Sequence, residues 1–205
     1  MKEIKAVLFD LGGVLIDVDY QKTIDAFTNL GVQNASDLYN QFDQSKLFDA
    51  FETGDVSSDY FIEQLKPLVS PDVRTIQIVD AWNAMIGSFP IKKLDFVKEI
   101  AKQTPCFLLS NTNEIHIEKA MNSLKETPYA ELDNLFKECY YSHLIGMRKP
   151  NVSTFKWVLN QMGVNADETL FIDDSPQHIE GAKKTDLQTI YYREPEDLWS
   201  IRSAI

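Results

Sequence analysis

Three short runs of this chain are dense in apolar and β-branched residues and break off abruptly into polar ones: Ala6 to Phe9, Cys106 to Leu109, and Thr169 to Ile172. Unbroken apolar runs of this length suit strands covered on both faces, as in the parallel sheet of an α/β protein. Glu138 to Ser142 and Thr189 to Tyr192 are weaker strands by the same criterion. Between them the spacing of apolar residues changes to threes and fours. Leu94, Phe96, Val97 and Ile100 predict a helix before the second strand, and Phe155, Val158, Leu159 and Met162 another before the third. From about residue 92 strand and helix alternate, which predicts a Rossmann-like, doubly wound α/β core.

The stretch from about Asp17 to Phe89 breaks that alternation. It reads as consecutive amphipathic helices without a convincing strand, so the chain divides into a core of residues 1–16 and 90–205 and an inserted helical cap of residues 17–89. Turn signals fall at Gly31 to Ser36, Thr53 to Ser58 and Val69 to Pro71, with Ser57, Ser58 or Asp59 placed to cap the helix that follows. Phe42, Leu47, Phe48 and Phe51 form a stripe expected to pack the insert's own core.

Composition narrows the function. The 20 Lys and Arg against 31 Asp and Glu give a net charge of −11, which opposes attraction to nucleic acid or anionic lipid. No apolar stretch is long enough to span a membrane and the first residues do not read as a secretory signal, so the expected location is cytoplasmic. Cys106 and Cys139 form no disulfide framework, and His116, His143 and His178 have no zinc spacing.

Candidate chemistry gathers at the carboxyl ends of the predicted strands, where open α/β sheets bind ligands. Asp10 follows the first strand and precedes Gly12 and Gly13. Ser110 and Asn111 follow the second and offer hydroxyl, amide and backbone donors to an anion. Lys149 lies past the weak strand around Tyr140, where a lone Lys is ordinarily a solvated charge. Asp173 and Asp174 follow the third strong strand. Adjacent carboxylates at a sheet edge repel unless a cation neutralises them, and hard oxygen ligands suit Mg²⁺. In combination these residues supply a nucleophile, anion donors, a positive charge and a metal site.

With these motifs, FDLGGV (residues 9–14), LLSNTN (108–113), GMRKP (146–150) and FIDDS (171–175), the sequence resembles the haloacid dehalogenase superfamily of aspartate-nucleophile hydrolases, and most closely its bacterial sugar-phosphate phosphatases with a helical cap. The resemblance implies a phosphatase acting on a small phosphomonoester such as glucose 1-phosphate. In that reading Asp10 attacks phosphorus and forms an aspartyl phosphate. Mg²⁺ is held by Asp10, the Gly12 carbonyl and Asp173, with Asp174 as a further ligand or directly behind them, while Ser110, the backbone near Asn111 and Lys149 hold the phosphate oxygens. One position departs from the superfamily's phosphatases: where most carry a second Asp that protonates the leaving alcohol, this chain has Gly12. Asp17, Asp19 or a water is the expected substitute.

Two other readings follow from the same gap. A metal-independent haloacid dehalogenase needs no acid at that position, but neither does it need the Asp173–Asp174 pair. A phospholigand-binding protein without turnover would explain Gly12 but not the otherwise complete set of catalytic groups.

Overall fold

In the computed structural model, which describes residues 2–38 and 46–205, five parallel strands form one sheet in the order β3-β2-β1-β4-β5. The strands are β1 (Ala6–Phe9), β2 (Cys106–Ser110), β3 (Glu138–Tyr141), β4 (Thr169–Asp173) and β5 (Gln188–Tyr191). All five predicted strands are present. Two run one residue further than their apolar runs, because Ser110 and Asp173 still pair in the ladder with Tyr141 and Tyr191. Both therefore end a strand instead of following one. Ser142, in turn, opens a helix and is not part of β3.

The alternation of side chains in these strands builds two cores. Val7, Phe9, Leu108 and Ile172 face Leu94, Phe96, Val97 and Ile100 of helix α6 (Ile91–Ile100), together with Ala120 and Leu124 of α7 (Glu114–Leu124). Leu8, Phe107, Leu109 and Phe171 face the opposite way, onto Phe155 and Val158 of α9 (Val152–Met162) and Ile179 and Ala182 of α10 (Pro176–Lys183). Helices on both faces require strands without a wet side, which is why the strand runs are continuous instead of alternating. Short helices α8 (Ser142–Ile145) and α11 (Pro195–Trp199) complete this part.

Between β1 and α6 the described residues contain only helices: α1 (Tyr20–Asn29), α2 (Ala35–Leu38), α3 (Lys46–Glu52), α4 (Ser58–Leu65) and α5 (Thr75–Asn83), with a short 3-10 turn after α4. The caps follow the turn chemistry of the sequence. Asp19 accepts a hydrogen bond from the Gln21 N–H at the start of α1, and Ser57 accepts one from Tyr60 at the start of α4. These helices enclose a hydrophobic core of their own, in which Phe51 stacks on Phe61 at 4.2 Å between centroids and Phe48 and Phe61 tilt against Trp82 at 5.0 and 4.8 Å. Aromatic pairs of this kind add roughly 0.5–1.5 kcal/mol each beyond the area they bury. Phe48 and Phe51 thus have the packing role expected of their stripe, whereas Phe42 lies outside the described residues.

The helical segment joins the sheet through two antiparallel linkers. The Asp17 N–H donates to Ser88, Gly87 donates to Asp17, and Asp19 donates to Met85. No helix among the described residues is long and apolar enough to cross a membrane.

A buried histidine ties the two parts together and makes stability depend on pH. His116 of α7 lies flat against the Trp82 ring at 4.6 Å. Asn113 Oδ1 accepts from the His116 backbone N–H, so its amide nitrogen faces His116 Nδ1 at 3.1 Å and the ring proton belongs on Nε2, 2.9 Å from the Trp82 carbonyl. Burial pushes the imidazole pKa down to about 4. Between pH 6.5 and 4 the unfolded chain binds a proton that the native protein refuses, so stability falls as pH falls, by about 3 kcal/mol in all. Urea unfolding should show this loss in the parent and a shallower one in His116→Gln, which starts from a lower stability at pH 7; equal slopes would refute the assignment.

Candidate active site

Asp10 leaves the sheet directly after β1, with its backbone N–H still donating to Ile172 of β4. Its side chain is buried and its Oδ1 accepts from the Leu11 N–H at 2.7 Å. The same oxygen lies 2.7 Å from Lys149 Nζ, which also reaches Asp173 Oδ2 at 2.7 Å. Lys149 is wholly buried, unlike the solvated charge that a lone Lys ordinarily is. Its backbone is fixed by Asn111, whose side-chain oxygen accepts from the Lys149 N–H and whose amide donates to the Lys149 carbonyl, both at 2.9 Å. Asn111 thus anchors the lysine through its side chain.

Asp173 closes the floor of the site. Its carboxylate accepts from Lys149, from the Ser175 N–H at 2.8 Å and from His178 Nδ1 at 2.9 Å. Pro176 opens α10, so His178 stands one turn in, where it reaches back to the end of β4. His178 has no metal-type spacing to another histidine, so the sequence pattern does not single it out; its five-residue offset from Asp173 across a helix start is the signal that could. Among the described residues, Asp10, Asp173 and His178 bring ligand-type atoms within 4.8 Å of one another.

A small cavity of about 60 Å³ opens above this floor, lined by Asp10, Gly12, Asn111, Lys149, Asp174 and His178 from the sheet side and by Tyr20 and Glu52 from the helices. Adjoining it is a second cavity of similar size, lined by Ser110, Thr112, His116, Met85 and Ile86, with Gly12, Asn111, Tyr20 and Glu52 shared between the two. Ser110 therefore belongs to the second compartment, and Asp173 lies beneath the first without lining it. Asp174 hangs over Gly13, whose φ of +73° and lack of a side chain are both needed: a Cβ there would lie 2.0 Å from an Asp174 oxygen. Asp17 and Asp19 are absent from both linings, one on the linker 3.8 Å from Lys93 and the other capping α1. Four positions of the insert are candidates by sequence for contact with a substrate, Phe48, Glu52, Trp82 and Asn83; of these Glu52 lines both cavities, whereas Trp82 and Phe48 pack the insert's core and Asn83 faces an outer groove.

The electrostatics reflect crowded carboxylates. Burial, then repulsion from Asp173, raises the Asp10 carboxyl well above its ordinary range despite Lys149. Asp174 is pushed up to about 6 by burial and by the charge of Asp173. Burial acts on Asp173 in the same sense, but Lys149 and His178 outweigh it and hold the group below the usual range. Lys149 stays protonated because its two carboxylate partners outweigh its burial. Three carboxylates facing one ammonium leave a surplus of negative charge, and the donors around the cavity are hard oxygens. That set fits a divalent cation such as Mg²⁺.

Residues 4–186 match the haloacid dehalogenase-like hydrolases. The chain belongs to that family. It is 29% identical over 194 residues to a D-ribitol-5-phosphate phosphatase of Bacteroides thetaiotaomicron, covering 95% of this chain and 93% of the relative. A HAD family enzyme from the same organism, solved with magnesium, superposes with a TM-score of 0.89 at 30% identity over the whole of both chains. Its wild-type complex with magnesium and inorganic phosphate gives 0.84 at 31%, covering 93% of this chain and 94% of the other. The L-2-haloacid dehalogenase of Xanthobacter autotrophicus shares the fold alone, with 19% identity and a TM-score of 0.62 over 96% of this chain and 81% of that one. The protein is a phosphatase-type hydrolase of this family.

Proposed function

We propose that this protein is a Mg²⁺-dependent phosphatase that removes phosphate from a small sugar or polyol phosphate through an aspartyl phosphate on Asp10. The observation that carries this reading is the single cavity bounded by Asp10, Gly12, Asn111, Lys149 and Asp174, with Lys149 Nζ 2.7 Å from the nucleophile. Asp10 attacks phosphorus in line. Lys149 and the donors around Ser110 and Asn111 hold the transferring oxygens, so that positioning and charge stabilisation supply most of the acceleration. Asp10, the Gly12 carbonyl and Asp174 would hold the metal from the cavity side, and Asp173, whose carboxylate also anchors Lys149, would support it from beneath. The bound ion offsets repulsion between a carboxylate nucleophile and a phosphate dianion.

Residues 17–89 serve in this reading as a cap that encloses the substrate, moving on the paired linkers at Asp17–Asp19 and Met85–Ser88. Two small compartments of about 60 Å³ each, with polar groups in both linings, favour a compact polar ester over a long lipid one. The excess of carboxylates argues against metal-free dehalogenation, for which an added pair of negative charges beside the nucleophile is only a cost.

Phosphate release from p-nitrophenyl phosphate and from a panel including ribitol 5-phosphate and glucose 1-phosphate tests the proposal. Turnover is expected with Mg²⁺, and none after EDTA until Mg²⁺ is restored. Activity indifferent to EDTA would reject the metal-assisted reading, and preference for one panel member would name the leaving group.

A further inference from the structure

Gly12 leaves the reaction without an evident proton donor, and the two cavities show where one must stand. In-line displacement places the leaving oxygen on the far side of phosphorus from Asp10. Asp10 rises from the sheet, and Asn111, Lys149 and Asp174 come from the same sheet edge, so these residues surround the phosphoryl group from below and from the sides. The far side is faced by the helical segment, which contributes only Tyr20 and Glu52 to this cavity among the described residues. Both also line the second compartment, as Gly12 and Asn111 do, and so stand on the boundary between the two. Of the two, a carboxyl group exchanges protons near neutral pH far more readily than a phenol.

Glu52 is also held in place. It ends α3 with its side chain 8% exposed, and its Oε2 lies 3.0 Å from Arg148 Nη2, while Arg148 Nη1 pairs with Asp49 one turn earlier. Arg148 is the neighbour of Lys149, and its carbonyl accepts from Thr154 Oγ1 at 2.8 Å. Just past α3, Gly54 has a φ of +74°, and a Cβ there would lie 2.2 Å from the His143 carbonyl. That close approach presses the end of α3 onto α8 beside the site. Backbone contact and ion pair together hold one carboxylate of the insert in the lining of the cavity that Asp10 also lines.

We propose that Glu52 is the proton-transferring catalytic residue of this enzyme, taking the place of the carboxylate missing at Gly12. The assignment rests on the phosphatase reading. As Asp10 bonds to phosphorus and the phosphorus–leaving-oxygen bond breaks, the Glu52 carboxyl gives its proton to that oxygen. The Glu52 carboxylate then takes a proton from the water that attacks the aspartyl phosphate. As the phosphorus–Asp10 bond breaks, inorganic phosphate leaves and both side chains return to their starting states.

Leaving groups that differ in basicity test this. Glu52→Gln should lower kcat/KM on ribitol 5-phosphate, whose alkoxide needs a proton, by about 10²–10⁴-fold. On p-nitrophenyl phosphate, whose phenolate leaves unaided, the loss should stay below about tenfold, the difference reflecting the missing acid. Glu52→Asp should restore part of the ribitol 5-phosphate activity, and unchanged thermal unfolding would show that α3 is still docked. An equal loss on both esters, or none on either, overturns the assignment while leaving the phosphatase reading intact. A parent that hydrolyses neither ester overturns both.

Discussion

Asp10→Asn is expected to lower turnover by ~10³-fold or more, the scale on which enzymes lose activity when a covalent nucleophile is deleted, without destabilising the fold. The amide cannot attack phosphorus, yet its oxygen can still accept from the Leu11 N–H and from Lys149, as Asp10 Oδ1 does. What disappears is one of three negative charges crowded around a single ammonium. The raised pKa of Asp10 states the same strain, since burial and Asp173 disfavour its charged form in the native protein. A group shifted in that direction costs stability above its unfolded pKa, and neutralising it removes the cost. Thermal unfolding without metal should therefore give an unchanged or higher Tm, alongside phosphate release at background. An inactive and clearly destabilised variant would mean that Asp10 holds the structure together, and the nucleophile would have to be sought elsewhere.

This opposition between stability and function accounts for which parts of the molecule are legible in the sequence. The sheet is, because burial on both faces forces runs such as Ala6–Phe9 and Thr169–Asp173 to be apolar almost throughout, and few other local structures demand so short and unbroken a run. The motif residues are legible as types and in order, since each follows a strand and the sheet brings strand ends together. Their division of labour is not. Asp173 and Asp174 are neighbours with opposite fates, one tied to Lys149, His178 and the Ser175 N–H and the other hanging over Gly13 beside the cavity. Nothing in a run of two Asp residues says which will point down. Asn111 has the composition of an anion donor, but its side chain grips the Lys149 backbone 38 residues away. Glu52 is legible only as one of four positions in the insert, with Phe48, Trp82 and Asn83, that could contact the leaving group, each more readily read as structural. It lies in an amphipathic helix of ordinary pattern, and only the docking of α3 against Arg148 and α8 brings it into the lining of the cavity beside Asp10. Long-range placement of this kind leaves no periodic trace in the chain.

Lys149→Met should produce the largest loss of stability of any single change in the site. The lysine is fully buried between Asp10 and Asp173, with its ammonium 5.5 Å from the centroid of the Phe171 ring. Methionine roughly matches the volume of the stem, so packing against Phe171 changes little; the loss is electrostatic. Two buried carboxylates then face each other without a cation. Breaking a buried ion pair from one side costs about 3–5 kcal/mol, because the remaining charge is left uncompensated. The pH dependence identifies that cause. Without Lys149, burial and mutual repulsion lift the pair above its unfolded pKa, so the penalty is in force at neutral pH and is relieved as pH falls and a proton is taken up. In the parent, Asp173 is held low by Lys149, and the corresponding stability persists until pH drops toward that lowered value. The gap between parent and variant should accordingly narrow from pH 7.5 to pH 5 in urea titrations, with phosphate release strongly reduced throughout. A gap that stays constant across that range would assign the loss to packing, and the buried ammonium would cease to be the element that lets these two carboxylates coexist.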